Sequence, residues 1–200
     1  MYLFGASGHA KVIVDILSSR EIQVKGFYDE DVSKKELWGI PVIGKTSDFN
    51  NTHGECIVSI GRNDTRKKVV GALREVKFAS AIHLRSILGS HVEIGAGTVI
   101  MAGTIINADT KIGRHVIINT SASVDHDCII DDFAHVAPNA TLCGGVDIGE
   151  GTLIGAGATV TPLINIGKWC TIGAGAVVVE DIPDYSVVVG NPARLIKRTL

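Results

Sequence analysis

The sequence predicts a small α/β domain followed by a parallel β-helix, and two observations carry this prediction. From Ile82 to Val178 every sixth residue is aliphatic, 17 times without an insertion. A period of six fits neither the 3.6-residue period of a helix nor a long alternating strand, but it is typical of a short strand and a tight turn repeated. Before Ala81 this period is absent, and 22 of the 40 charged residues lie there. We therefore predict an α/β domain at residues 1–81 and an all-β helix domain with a C-terminal tail at residues 82–200.

The composition agrees with a β-helix. Three of the six-residue segments make one triangular coil, and successive coils stack at about the 4.8 Å spacing of β-strands. The tight corners of such a coil favour glycine and asparagine, which tolerate positive φ, while the narrow interior excludes large rings. The chain accordingly has 23 glycines but only 10 aromatic residues, namely 5 Phe, 2 Trp and 3 Tyr.

The N-terminal region, up to Ala81, carries the Rossmann-like pattern of a nucleotide-binding domain. Residues 1–17 read as strand, glycine loop and amphipathic helix, an arrangement that points backbone N–H groups at a phosphate. A second strand at residues 24–28 ends in Asp29 and Glu30, and Asp29 lies 21 residues after Gly8, close to the spacing of an acid that binds a ribose hydroxyl. Because the domain is short, we expect a mononucleotide or a sugar nucleotide rather than NAD.

A third predicted strand, residues 56–60, ends at Gly61 and Asn63, so it adds its carboxyl end to the same edge of the sheet. The helix that follows begins with three cations at residues 66–68, which oppose the helix dipole. Water around an exposed helix face screens such charges, and a bound anion offsets them. The sequence leaves both interpretations open.

Charge and hydropathy exclude several classes of protein. The 19 basic and 21 acidic residues give a net charge of −2, which argues against a polybasic nucleic-acid binder. No apolar run approaches the roughly 18 residues of a membrane span. The four cysteines form no C-x-x-C pair, and the opening residues turn to glycine too early for a signal peptide. We expect a cytoplasmic protein with reduced thiols that binds neither nucleic acid nor membrane.

His126 is the strongest catalytic candidate because it lies between two carboxylates, Asp125 and Asp127. A neighbouring carboxylate orients an imidazole and raises its basicity. Equivalent positions of successive coils stack, so Gly144, one coil later, is predicted to lie over His126 and to leave a backbone N–H free for an oxyanion. His135 lies half a coil from His126, so the two histidines are expected to meet only across a boundary between subunits.

Seven short motifs are spread along the chain: Gly5-Ala6-Ser7-Gly8-His9-Ala10-Lys11, Gly39-Ile40-Pro41-Val42-Ile43-Gly44, Ile60-Gly61-Arg62-Asn63, Asn119-Thr120-Ser121, Val124-Asp125-His126-Asp127, His135-Val136 and Gly190-Asn191-Pro192-Ala193-Arg194. Together with the hexad repeat, they resemble one subfamily of the hexapeptide-repeat acyltransferases over nearly the whole chain. That subfamily contains the UDP-4-amino-sugar N-acetyltransferases and the sialic acid O-acetyltransferases.

The resemblance implies a left-handed β-helix, a homotrimer, and direct transfer of acetyl from acetyl-CoA to the amine of a UDP-linked 4-amino sugar, without a metal. It makes His126 the general base, oriented by Asp127 and Asp125. The residues that it assigns to the acceptor site and the nucleotide-binding surface are Gly8, His9, Asp29, Glu30, Gly61, Asn63, Asn119 and His135. Gly144 and Ala156 match backbone contacts of acetyl-CoA. Arg194 is a candidate contact for the CoA phosphates, with an ordinary basic C-terminus as the other interpretation.

Three alternatives remain open. The first is O-acetylation of a sialic acid or of another sugar hydroxyl by the same machinery. The second is a zinc enzyme with three histidine ligands, although the intervals between His115, His126 and His135 are unlike the spacing of the β-helix carbonic anhydrases. The third is a non-catalytic binder of nucleotide sugars, which would bind its ligand without releasing thiol from acetyl-CoA.

Overall fold

The computed structural model describes residues 1–49 and 54–199. The N-terminal strands are β1 (Tyr2–Phe4), β2 (Gly26–Tyr28), β3 (Glu36–Leu37), β4 (Ile40–Gly44) and β5 (Cys56–Val58). The helices are α1 (Gly8–Ser19), a 3-10 turn (Thr46–Asp48) and α2 (Asn63–Ala72). The strands form one sheet in the order β3-β4-β2-β1-β5, parallel except for the β3–β4 hairpin.

The predicted strands β1, β2 and β5 and the two predicted helices are confirmed, with ends that differ by a few residues. The β3–β4 hairpin was not predicted. Its turn is formed by Trp38 and Gly39, which both have positive φ, 56° and 75°. Such turns are recognised in sequence by Asn-Gly or Asp-Gly, and this one carries neither signal.

Beyond Ala81 the chain winds into a β-helix with three parallel faces. The domain face, which meets the N-terminal sheet and helices, contains Ala81–Ile82, Val99–Ile100, Ile117–Ile118, His135–Val136, Leu153–Ile154, Thr171–Ile172 and Ser186–Val189, and the antiparallel strand Arg194–Arg198. The uncharged face contains Ile87–Leu88, Ile105–Ile106, Ser123–Val124, Thr141–Leu142, Thr159–Val160 and Val177–Val178. The charged face contains Glu93–Ile94, Lys111–Ile112, Ile129–Ile130, Asp147–Ile148 and Asn165–Ile166.

The register of the coils agrees with the sequence period. Ser123 pairs with Ile105 below it and with Thr141 above it, so one coil consists of three hexads, as predicted. The second residue of each short strand points inward and is buried in most coils, which builds the continuous aliphatic core. The prediction that glycine and asparagine take the corners was incomplete. Positive φ also occurs at corner residues of other types: His91, Asp109, His115, Ser121, Asp127, Phe133, Leu163 and Trp169.

The N-terminal part packs on the domain face through a shared apolar cluster. Ile13 and Leu17 of α1 are buried in the same cluster as Val99 and Ile117, whose side chains point outward from the β-helix. At the N-terminal end of the β-helix, where this packing occurs, the first residues of the domain-face strands are therefore apolar. Within the described residues, no helix has the length and hydropathy needed to cross a membrane.

Candidate active site

His126 lies where the uncharged face turns into the charged face, and we call Asp125, His126, Asp127 and Gly144 the His126 corner. Asp127 has a φ of 57°, which turns its carboxylate back toward the preceding imidazole. His126 Nδ1 and Asp127 Oδ2 are 2.7 Å apart. Neighbours in a strand point to opposite faces, so only the corner geometry lets these two adjacent residues pair.

The carboxylates around His126 set its protonation. The hydrogen bond to Asp127, and then the charge of Asp125, raise the pKa of His126 above its ordinary value. Because Nδ1 faces an acceptor, the neutral ring carries its proton there and keeps the lone pair of Nε2 free. Asp125 holds the backbone rather than the ring, since its Oδ1 accepts from the His126 N–H at 2.9 Å and from Asn107 Nδ2 at 2.8 Å.

Gly144 lies directly over the His126 ring, as the register predicts. A Cβ atom built on Gly144 would lie 2.7 Å from His126 Cε1 and 2.8 Å from Nε2. Among the described residues the Gly144 amide has no hydrogen-bond acceptor. A cavity of about 450 Å³ opens over the corner and is also lined by Cys143, Pro162 and Leu163. The His126 ring and Gly144 therefore line the same space.

Replacing Asp127 by asparagine is expected to lower the pKa of His126, because the carboxylate hydrogen bond is the largest cause of its elevation. A proton titration of the His126 ring by NMR measures this directly. Asp109→Asn is the matched control, since Asp109 contacts His91 rather than His126. An unchanged His126 titration midpoint in Asp127→Asn would show that Asp127 does not set the protonation of the ring.

A second group of candidate residues meets where α1 and α2 approach the domain face, and we call His9, Gly61, Asn63, Asn119 and His135 the interdomain cluster. Asn119 Nδ2 and His135 Nε2 are 3.0 Å apart. Burial and then the Arg66 charge lower the pKa of His135 to about 3. Burial also lowers the pKa of His9 to about 4, and His9 Nε2 is buried without a hydrogen-bond partner among the described residues.

The two groups do not meet within one chain. The His126 corner joins the uncharged face to the charged face, whereas Asn119 lies at the corner that joins the domain face to the uncharged face. His135 begins a strand of the domain face. The structure therefore separates His126 from His135, as the half-coil spacing predicts.

The glycine loop and the end of β2 lie side by side. The Asp29 carboxylate accepts from the Ala6 N–H at 2.7 Å and from Lys34 Nζ at 2.9 Å, and Glu30 Oε1 accepts from the Thr46 N–H at 3.2 Å. Partial burial disfavours the charged form of Asp29, but the bonds from Ala6 and Lys34 outweigh it and lower the pKa of this carboxyl. At the start of α1, the amides of Gly8 and His9 have no acceptor among the described residues.

The three cations near the start of α2 do not share one environment: the interpretation as an exposed, water-screened face is wrong for Arg66, and both interpretations stay open for Lys67 and Lys68, which are exposed. Arg66 is buried and donates to backbone carbonyls of the β-helix. Lys67 pairs with Glu150 and lies over the ring of Trp169. Lys68 is exposed. The Asn63 amide is likewise engaged, because Nδ2 donates to Gly151 O at 3.0 Å.

The two remaining acetyl-CoA candidates lie apart from His126. Ala156 is exposed at the corner between the domain face and the uncharged face. Arg194 lies 3.7 Å from Glu180, which occupies the same corner position as His126 three coils further along the β-helix. Arg194 thus lies beside the same edge of the prism as His126, while the His126 cavity itself extends along that edge as far as Leu163.

The three histidines of the zinc alternative lie at separate places. His115 is buried between aromatic rings, stacked on Phe133 at 5.2 Å and edge-on to Phe78 at 4.6 Å. His126 and His135 lie on different sides of the prism, as described above. In the described part of the chain, no group of three His, Cys, Asp or Glu side chains is arranged to hold a metal ion.

Sequence reasoning missed two functional candidates. Asn107 orients Asp125 from one coil below, and its position one full coil before Asp125 was the available signal. Arg66 follows Asp64 and Thr65 in a polar helix start, and the sequence left a water-screened cation and an anion-binding cation both open. Nothing in the local sequence indicates that it is buried.

Comparison with known proteins gives matches along the chain. Residues 1–73 match the PglD N-terminal domain family, and residues 127–162 match the bacterial transferase hexapeptide family, described as six repeats. A curated relative, uncharacterized protein L142 of Acanthamoeba polyphaga mimivirus, is 34% identical over 98 residues, or 48% of this chain. The chain spans only 20% of the length of that relative.

Two solved structures are similar over almost the whole chain. One is a histidine-to-asparagine variant of perosamine N-acetyltransferase from Caulobacter crescentus, in complex with CoA and GDP-perosamine. It is 36% identical with a TM-score of 0.93, and the match covers 98% of this chain and 96% of that one. The other is the acetyltransferase domain of PglB from Neisseria gonorrhoeae FA1090, in complex with acetyl coenzyme A. It is 34% identical with a TM-score of 0.90, and the match covers 98% of each chain.

Proposed function

Because this chain belongs to the hexapeptide-repeat sugar acetyltransferases of the left-handed β-helix type, we propose that it transfers acetyl from acetyl-CoA to the amine of a nucleotide-linked 4-amino sugar. The observation that carries the proposal is His126, whose Nδ1 is held by Asp127 and whose ring lies under Gly144, a residue whose amide has no hydrogen-bond acceptor among the described residues. Acetyl-CoA is the donor, as in the complex of the N. gonorrhoeae relative. UDP is the nucleotide that the sequence motifs favour, and the GDP-sugar of the C. crescentus relative makes GDP the alternative.

The reaction is a direct transfer. The sugar amine attacks the thioester carbonyl while His126 Nε2 accepts the proton that the amine loses. The C–S bond then breaks, and the imidazolium proton passes to the leaving sulfur, so that CoA leaves as its thiol and His126 is neutral again. Asp127 supports the imidazolium that forms, through its contact with Nδ1. The Gly144 N–H is suited to donate to the oxyanion of the tetrahedral intermediate. Cys143 lines the same cavity, but among the described residues no hydrogen bond joins its thiol to a base, so no acyl-enzyme step is invoked.

Acetyl-CoA is proposed to lie along the edge of the prism that starts at the His126 corner. The apolar side chains of Pro162 and Leu163 line this path, and Leu163 is 76% exposed. Arg194 lies beside Glu180 at the end of the path, where a phosphate would compete for its guanidinium. Ala156 lies at the corner between the domain face and the uncharged face, so its backbone would contact acetyl-CoA bound at the His126 corner of a neighbouring subunit.

The acceptor is proposed to bind at the interdomain cluster, with its phosphates at the start of α1. The free amides of Gly8 and His9 are suited to bind a phosphate at the N-terminus of α1. Asp29 and Glu30 hold the loops that frame this end of the sheet. Neutral His135, paired with Asn119, offers a polar surface for the sugar without adding a charge.

A trimer brings the two halves of the site together. The outward residues of the uncharged face are Ile87, Ile105, Ser123, Thr141, Thr159 and Val177. Ile87 and Ile105 are 63% and 39% exposed, which favours burial of this face against other protomers. If three such faces surround one axis, the His126 corner of each protomer meets the Asn119 and His135 corner of its neighbour. We therefore propose a homotrimer with active sites between subunits.

Mixed trimers test this arrangement. His126→Ala and His135→Gln are each expected to be inactive alone, whereas trimers that contain both variants regain about a third of the wild-type activity, because one of their three interfaces is intact. Differently tagged chains, co-expressed and purified through both tags, provide the mixed trimers for rate measurements. Failure of the mixture to regain activity would contradict a site shared between subunits. Full activity of His135→Gln alone would contradict its role in acceptor binding.

A thiol-release assay with acetyl-CoA tests the function itself. UDP-linked and GDP-linked 4-amino sugars, a sialic acid and serine serve as acceptors, and release is expected only with a nucleotide-linked 4-amino sugar. Release with sialic acid alone would replace the proposal with O-acetylation. Binding of nucleotide sugars without thiol release from any acceptor would identify a non-catalytic binder.

A further inference from the structure

Arg66 is a buried cation that has no carboxylate partner among the described residues. It is only 1% exposed, and burial lowers the pKa of its guanidinium to about 9. A buried charge without a counter-ion is costly unless all of its donors are used. Arg66 meets this condition, because its guanidinium donates to backbone carbonyl oxygens and to the amide oxygen of one side chain.

The acceptors of Arg66 belong to two coils of the β-helix. Nε donates to His115 O at 2.8 Å, and Nη2 donates to Phe133 O at 2.8 Å and more weakly to Ala134 O at 3.3 Å. Nη2 also donates to Asn63 Oδ1 at 2.9 Å. Since Asn63 Nδ2 donates to Gly151 O on the following coil, the Arg66 and Asn63 pair spans three successive coils.

The same guanidinium holds the loop that faces the acceptor site. Nη1 donates to Ile60 O and to Gly61 O, both at 3.0 Å. Gly61 in turn contacts His135, which follows Ala134 in the chain and pairs with Asn119. One planar group therefore connects the loop after β5, the start of α2 and the strand that carries His135. Only arginine presents five donors in such a fixed fork.

We propose that Arg66 is a positioning residue for the acceptor sugar, which fixes the Ile60–Asn63 loop and the His135–Asn119 pair at one geometry across the interdomain boundary. This inference rests on the proposed function, because it assumes that the acceptor binds at the interdomain cluster. It assigns Arg66 no contact with substrate. The acetyl-CoA path lies on another edge of the prism, so the two substrates should respond differently to a change at Arg66.

Arg66→Lys keeps the charge but loses the fork, so the loop carbonyls and the coil carbonyls can no longer be held together. We expect the KM for the acceptor to rise by about tenfold or more, since small displacements of a binding group have large effects. The KM for acetyl-CoA should stay within about twofold of wild type. Asn63→Ala, which leaves the Arg66 bonds to both coils in place, should raise the acceptor KM in the same direction but less.

Arg74→Lys is the matched control because Arg74 is an exposed arginine just beyond the same helix, and it should leave both KM values unchanged. Gel filtration and circular dichroism select variants that keep the assembly and fold. An unchanged acceptor KM in folded Arg66→Lys, or an equal rise in both KM values, would overturn the proposal. If Arg66→Lys does not fold, the Asn63→Ala variant provides the test instead. An unchanged acceptor KM in Asn63→Ala would then overturn the proposal.

Amide hydrogen exchange separates this inference from the proposed function. In Arg66→Lys, or in Asn63→Ala if only that variant folds, residues 60–63 are expected to exchange faster than in wild type. Residues 141–148, which neither Arg66 nor Asn63 contacts, should exchange at the wild-type rate. This readout needs no substrate. If wild type accepts none of the acceptors tested but the loop exchanges faster, the proposed function fails and the structural basis of the inference stands. Unchanged exchange at residues 60–63 would overturn the inference whatever the activity.

Discussion

Replacement of His126 by alanine is expected to lower kcat by roughly 10²- to 10⁴-fold, the usual contribution of a positioned general base. The imidazole is exposed, with its side chain 60% accessible, so its loss should leave the fold and the binding of both substrates intact. The effect should therefore fall on kcat rather than on either KM. Steady-state thiol release with varied acetyl-CoA and acceptor separates these parameters.

His91→Ala is the matched control for this substitution. His91 lies on the same edge of the prism two coils earlier, and its Nδ1 is 3.1 Å from Asp109 Oδ1, so it also forms a histidine–carboxylate pair. A change in its activity of less than about twofold is expected. Near-wild-type kcat in His126→Ala would remove the general base from the mechanism.

Replacement of Gly144 by alanine is expected to lower kcat by at least about 10²-fold, because one methyl group disturbs two catalytic groups at once. The added Cβ would lie 2.7 Å from His126 Cε1, so the imidazole must move away from its place beside Asp127. The methyl group also occupies space in the cavity that Gly144 lines, beside the backbone amide proposed to bind the oxyanion. Gly144 does not have positive φ, so alanine there adds no backbone strain.

Gly71→Ala is the control, since a Cβ there meets no heavy atom within 4 Å and α2 tolerates alanine. This control should be fully active, and it should gain up to about 1 kcal/mol of stability because alanine favours helix. Thermal unfolding and kinetics on both variants provide the comparison. A Gly144→Ala protein with wild-type kcat would show that the space over His126 is not where the reaction occurs.

The repeat made most of the β-helix predictable, because its period leaves little choice of register. The length of one coil is enough to predict that Gly144 lies over His126 and that His126 and His135 are separated, and the structure shows both. Local spacing was enough there because each coil repeats the geometry of the last. The corner residues were harder to predict, since Asp127 and Leu163 adopt positive φ despite their side chains.

The interdomain contacts could not be predicted, because they join residues that no local pattern relates. Arg66 lies 49 residues from His115 and 67 from Phe133, yet it donates to both. Its neighbours at the start of α2 are polar, so the local sequence does not distinguish a buried arginine from an exposed or anion-binding one. Asn63 is assigned to the nucleotide-binding surface by resemblance, and that assignment stays a prediction. The bonds of its amide to the β-helix and to Arg66 could not be predicted.

The identity of the acetylated product tests the central claim most directly. Wild-type protein is incubated with acetyl-CoA and a UDP-linked or GDP-linked 4-amino sugar, and the nucleotide sugar is analysed by mass spectrometry and NMR. The account predicts one added acetyl group, attached to the amine nitrogen, with release of an equal amount of CoA. Acetyl found on a hydroxyl, on the protein, or only as free acetate would contradict it.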